Sequence, residues 1–192
     1  IKIDPVVLNN EGKVVVEAFT KSNKDIKVEI YDGDNNLIKT AKNKEEIIIN
    51  NPHLWNGKKD PYLYVAKAKL MDNDKVIDEV SHQFGFRTFT YDSKKGFFLN
   101  GISYPLRGVS RHQDRLLKGN AISKEDQEED MNLILDIGAN TIRLAHYQHD
   151  DYFLDLCDKY GLVIWAEVPY ISKYMPNAKD NIEQQLKELI YQ

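Results

Sequence analysis

The chain has 192 residues, 42% of them hydrophobic and 29% charged, which is room for one large packed domain or two small ones. A formal net charge of −4 gives no basic excess for nucleic acid or an anionic membrane, so neither partner is expected. The single cysteine, Cys157, excludes an internal disulfide framework, and no apolar run reaches the roughly 18 residues that would cross a bilayer.

Up to about residue 84 the apolar residues mostly alternate. Residues 13–19 read KVVVEAF, 25–31 DIKVEIY, 62–70 YLYVAKAKL and 76–84 VIDEVSHQF. A period of two predicts antiparallel strands with one wet face. Turn-forming clusters separate the runs at residues 9–12, 32–36 and 71–74. With shorter runs at 37–40 and 46–49, about seven strands are expected, so residues 1–84 are read as an immunoglobulin-like β-sandwich.

From residue 85 onward, apolar runs alternate with helical stretches. Residues 102–109 are a strand candidate. Ser123 is then placed to cap a helix whose first turn carries Glu125 and Asp126, where acids suit the helix dipole. Met131, Ile134 and Leu135 repeat at helical spacing, and Gly138 can end the helix. A second strand is expected at 141–144. A second helix starts near Asp150 or Asp151, buries Phe153, Leu156, Cys157 and Tyr160, and ends at Gly161. Residues 162–166, apolar throughout, read as a third strand covered on both faces, and 181–192 as a third helix. Three strand–helix pairs predict parallel strands. They could open a doubly wound sheet or a TIM (β/α)8 barrel. No strand is followed by G-x-G-x-x-G, which weakens the nucleotide-binding option. A full barrel needs about 250 residues, so 85–192 would be less than half of one.

Several motifs resemble one family. Gly85-Phe86-Arg87, Phe98-Leu99-Asn100-Gly101 and Leu106-Arg107-Gly108-Val109-Ser110-Arg111-His112-Gln113-Asp114 resemble the entry to the barrel of family 2 glycoside hydrolases. Residues 138–147, GANTIRLAHY, resemble its second strand, and 156–167, LCDKYGLVIWAE, its second helix and third strand. Leu54-Trp55 with Pro61-Tyr62-Leu63-Tyr64 resembles the preceding sandwich. The resemblance implies a multidomain β plus α/β chain: a sandwich at 1–84, then the first three βα units of an incomplete TIM barrel at 85–192. It implies a retaining glycosidase, most like a β-galactosidase, acting on terminal β-D-galactosides. Both catalytic glutamates would then lie beyond Gln192, and this piece alone would be inactive. The start at Ile1, with no Met and no leader, agrees with a soluble segment of a longer chain lacking a signal peptide; the compartment stays unknown.

On the same resemblance, His112, Asp114 and His146 are the sugar-binding candidates, all placed at strand ends. Arg143 would orient the nucleophile and Glu167 would be a support rather than a catalytic acid. The family's Glu-Thr-His magnesium motif is replaced by Val168-Pro169-Tyr170-Ile171-Ser172-Lys173, so no cofactor or metal is expected. Ser110 stands where the family often has Asn. The alternatives are a β-glucuronidase or another family 2 enzyme, a metal-dependent barrel hydrolase using His112, Asp114, His146 and Glu167, or a non-catalytic carbohydrate-binding module. An open barrel edge would favour self-association.

Overall fold

Alternating residues build the first of two compact units, Ile1–Tyr104 and Pro105–Gln192, in a computed structural model that describes residues 1–173 and 175–191. Seven strands occupy the stretch read as a sandwich: Lys2–Leu8 (β1), Glu11–Glu17 (β2), Ile26–Tyr31 (β3), Leu37–Lys42 (β4), Glu46–Asn50 (β5), Tyr64–Asp72 (β6) and Lys75–Phe84 (β7). They form two antiparallel sheets, ordered β1-β2-β5 and β4-β3-β6-β7. Val14, Val16, Ile47 and Ile49 from the first sheet meet Val28, Ile30, Tyr64, Ala66 and Phe84 from the second in one core. Each such fully buried large apolar side chain contributes about 1.5–3 kcal/mol. Ala66 and Ala68 point inward and Lys67 and Lys69 outward, as the alternation predicts.

Two features of this unit depart from the sequence reading. β1 shows no clean alternation because its outward Val6 and Leu8 are apolar yet 56% and 57% exposed, while Ile3 and Val7 pack on the core, and Pro5 sits inside it. The strand is tolerated because it lies at a sheet edge, paired only with β2. After residue 85, before any helix, comes a third antiparallel sheet of Phe89–Asp92 (β8), Gly96–Leu99 (β9) and Ile102–Ser103 (β10). Asn100 and Gly101 make the tight turn between β9 and β10, both at positive φ. The Asn100 side chain donates to the Trp55 carbonyl (3.0 Å) and to Asn56 (2.7 Å), and accepts from the Thr88 N–H (2.8 Å). The Phe-Leu-Asn-Gly motif is thus a structural tie.

In the second unit the parallel strands Gly108–Arg111 (β11), Thr141–Leu144 (β12) and Val163–Ala166 (β13) lie in that order. They alternate with helices Lys124–Asp136 (α1), Asp151–Tyr160 (α2) and Lys179–Tyr191 (α3). The single strand expected at 102–109 is two, β10 and β11. Pro105 lacks an N–H, and Asn140 pins the break by accepting from the Arg107 N–H (2.7 Å) and donating to the Pro105 carbonyl (2.9 Å). Ser123 caps α1 in a reciprocal box with Asp126, and Asp150 caps α2. Gly138 and Gly161, at φ 78° and 77°, follow the two helices. Met131 and Ile134 from α1, Phe153, Leu156 and Cys157 from α2, and Ile142 and Leu144 from β12 share one core.

Neither β13 nor α3 is covered as expected. Trp165 is 67% exposed, and α3 leaves Leu186 and Ile190 exposed outside that core. The helix begins two residues earlier than predicted, and Gln192, the last residue of the predicted helix, lies outside the described residues.

Candidate active-site rim

The register of the parallel sheet decides which side chains share a face. Ser110, Arg143 and Trp165 are neighbours across the three strands on the face away from the core, while Arg111, Leu144 and Ala166 are neighbours on the helix-covered face. β11 approaches β12 closely at Gly108: a Cβ there would sit 2.0 Å from the Thr141 carbonyl oxygen, so any side chain would part the strands. The three strands end in register, at Arg111, Leu144 and Ala166, so the residues just past them form one rim.

On that rim, Glu167 follows β13 and Arg143 stands one residue before the end of β12. Arg143 Nε donates to Glu167 Oε1 at 2.6 Å and its Nη2 to Oε2 at 3.2 Å, a two-point grip on the carboxylate. His146 Nδ1 lies 2.8 Å from Glu167 Oε2. An ionised carboxylate can only accept, so Nδ1 carries the proton and donates to it. The 3.2 Å approach of Arg143 Nη2 to the same nitrogen is then not a hydrogen bond. Hydrogen bonds from Arg143 first, and then His146, hold the Glu167 carboxyl below the usual carboxylate range. Among the described residues, His146 Nε2 makes no hydrogen bond.

His112, the residue after β11, sets its ring edge-on to His146 with centroids 5.1 Å apart. Asp114, exposed in the next loop, makes no hydrogen bond or ion pair with Arg143, His146 or Glu167 among the described residues. The structure thus brings four of the five sequence candidates together. Among the described residues, no group of three His, Cys, Asp or Glu side chains is disposed to hold a metal ion.

The loops that carry His112 and His146 are also stitched to each other. The Ala145 N–H donates to the Arg111 carbonyl (3.0 Å), the Gln113 N–H to the Tyr147 hydroxyl (3.0 Å), and the Asp150 N–H to Gln113 Oε1 (2.8 Å). Buried Arg111 reaches His149 and Asp130. Strand alternation could have placed Arg111 on the covered face. Nothing local marks Gln113 or His149, whose partners lie 37 and 38 residues away.

The chain is similar to known proteins. The family described as glycosyl hydrolases family 2, TIM barrel domain, matches residues 92–190, and glycosyl hydrolases family 2 matches residues 1–87. The chain belongs to glycoside hydrolase family 2. A β-glucuronidase of Bacteroides fragilis is 44% identical over 155 residues, covering 76% of this chain and 22% of its own length. A β-galactosidase of Thermoanaerobacter pseudethanolicus is 31% identical over 193 residues, covering 98% of this chain and 24% of its own. The crystal structure of an FMN-binding β-glucuronidase from Facaelibacterium prausnitzii L2-6 superposes with a TM-score of 0.90 at 36% identity. That match covers the whole chain and 31% of the other. The chain therefore spans about a quarter of the length of these family 2 relatives.

Proposed function

We propose that this family 2 chain supplies the immunoglobulin-like sandwich and the first three βα units of a retaining β-glycosidase barrel, and with them part of the rim that grips a terminal sugar. The observation that carries the reading is the Arg143–Glu167–His146 cluster, with His112 against it, at the C-terminal ends of consecutive parallel strands. Barrel enzymes carry their chemistry at that end. His112, His146 and Asp114 are assigned to sugar hydroxyls. Arg143 has Nη1 beyond its grip on Glu167, and this nitrogen is assigned to orient the nucleophile.

Retaining hydrolysis needs two carboxyl groups about 5–5.5 Å apart, one nucleophile and one proton donor. Glu167 suits neither role. Both of its oxygens are engaged, and a proton donor to the glycosidic oxygen needs a raised pKa, whereas that of Glu167 is lowered. On this reading both catalytic carboxylates come from outside these 192 residues, and no magnesium of the Glu-Thr-His type takes part.

For the sugar, a terminal β-D-glucuronide has the stronger support, from the relative at 44% identity and the structure at TM-score 0.90. A terminal β-D-galactoside is the second reading, supported by the β-galactosidase that aligns over 98% of the chain. The test is hydrolysis of nitrophenyl β-glucuronide and β-galactoside by this chain and by a longer protein carrying the complete barrel, with and without a chelator. Turnover by the longer protein only, unchanged by the chelator, is the expected result. Turnover by the 192-residue chain itself would overturn the reading.

A further inference from the structure

Behind the rim lies a polar pair that the sugar-binding reading leaves unused. Arg111 is 6% exposed and His149 3%. Arg111 Nε donates to Asp130 on α1 at 3.0 Å, and its guanidinium lies 3.8 Å from the centre of the Phe153 ring. Its Nη1 stands 3.0 Å from His149 Nδ1, and His149 Nε2 stands 3.2 Å from the Ala145 carbonyl oxygen. A guanidinium only donates, so His149 Nδ1 must accept. The imidazole proton is thereby fixed on Nε2, from which it is donated to Ala145. Arg111 thus holds the Ala145 residue twice: its own carbonyl takes the Ala145 N–H, and its side chain sets the tautomer that takes the Ala145 carbonyl.

Ala145 is followed directly by His146. A methionine in place of Arg111 could fill the space without burying a charge. What the polar pair adds is direction. We propose that Arg111 and His149 are positioning residues that fix the Ala145–His146 link and so hold the His146 ring, against Glu167, in the orientation that meets the sugar. The role in sugar contact rests on the glycosidase reading above; the fixed tautomer does not. Burial first, and then the nearby positive Arg111 and the His112 ring, lower the His149 pKa against the Ala145 hydrogen bond, which raises it, and Tyr147 packs beside it with ring centroids 5.1 Å apart.

The test has two arms. In the 15N-labelled 192-residue chain, long-range proton–nitrogen correlations report which ring nitrogen carries the proton. Protonated Nε2 and bare Nδ1 at His149 are expected at pH 7, and a proton on Nδ1 overturns the proposal. The second arm compares His149→Gln with His149→Phe in the barrel-complete protein. Glutamine can accept from Arg111 and donate to Ala145, whereas phenylalanine fills the space and does neither. His149→Phe is expected to lower kcat roughly 10- to 100-fold with little change in KM, the scale set by misplacing a group by about an ångström. His149→Gln is expected to stay within a few-fold of wild type. If His149→Phe keeps wild-type kcat, the proposal falls and the glycosidase reading stands. If the wild-type protein hydrolyses neither glycoside, that reading falls and the tautomer result decides the pair alone.

Discussion

Glu167 is a carboxylate whose surroundings, rather than its residue type, fix its role. Arg143 and His146 hold both of its oxygens, so its charge organises the rim. In the barrel-complete protein, Glu167→Gln is therefore expected to lower kcat/KM by about 10- to 100-fold, the scale set by misplacing a group by about an ångström. Loss of a true nucleophile or acid would reach about 10⁴-fold or more, and steady-state kinetics separate the two. His112, Arg143, His146 and Glu167 were legible in the sequence because each stands at a strand end inside a recognisable string. The pairing of Arg111 with His149 was not. A buried arginine and a histidine 38 residues apart carry no shared pattern, and only the folded register of β11 against β12 brings them into line.

Individual elements followed their local chemistry where one face was buried. The Val14 and Val16 alternation, the Ser123 cap and the helical stripe of Phe153, Leu156 and Cys157 were all readable. The β8–β10 sheet was not, because its exposed Phe89, Tyr91 and Ile102 break the in–out contrast on which such reading depends. Glu29 in β3 shows how a strand takes in a charge. Burial by itself would raise its pKa, but hydrogen bonds from Lys27, Lys69 and Tyr31 outweigh that and bring it down to about 2. A carboxyl with a lowered folded pKa stabilises fully above its unfolded value near 4.5, and this stabilisation is lost as pH falls through 2. Glu29→Gln should cost roughly 2 kcal/mol at pH 7, a typical value for hydrogen bonds to a charged group. In urea unfolding, the difference from wild type should shrink steadily between pH 4.5 and pH 2. A constant difference across that window would show that the charge is not what stabilises the strand.

At the scale of the molecule, the second unit leaves one face of its sheet open. Trp165 on that face is 67% exposed, and β13, whose Ile164 on the opposite face is 39% exposed, has no strand beyond it among the described residues. Open edges and apolar faces drive association. Light scattering on the 192-residue chain is expected to give a mass that rises with concentration. Trp165→Lys should suppress the rise, and an unchanged monomer mass in both proteins would refute the idea. The same face explains a failure of sequence reading: an all-apolar strand predicts two covered faces, but the cover on one side is not supplied by the described residues.

The two tryptophans of the chain divide between its units. Trp55 is 2% exposed in the first and Trp165 is 67% exposed in the second. One indole is dry and the other wet, so the protein carries its own pair of optical reporters. Emission from Trp55 should therefore lie toward the blue and resist iodide, and that from Trp165 should lie toward the red, quench readily, and move blueward when a surface comes to cover the open sheet.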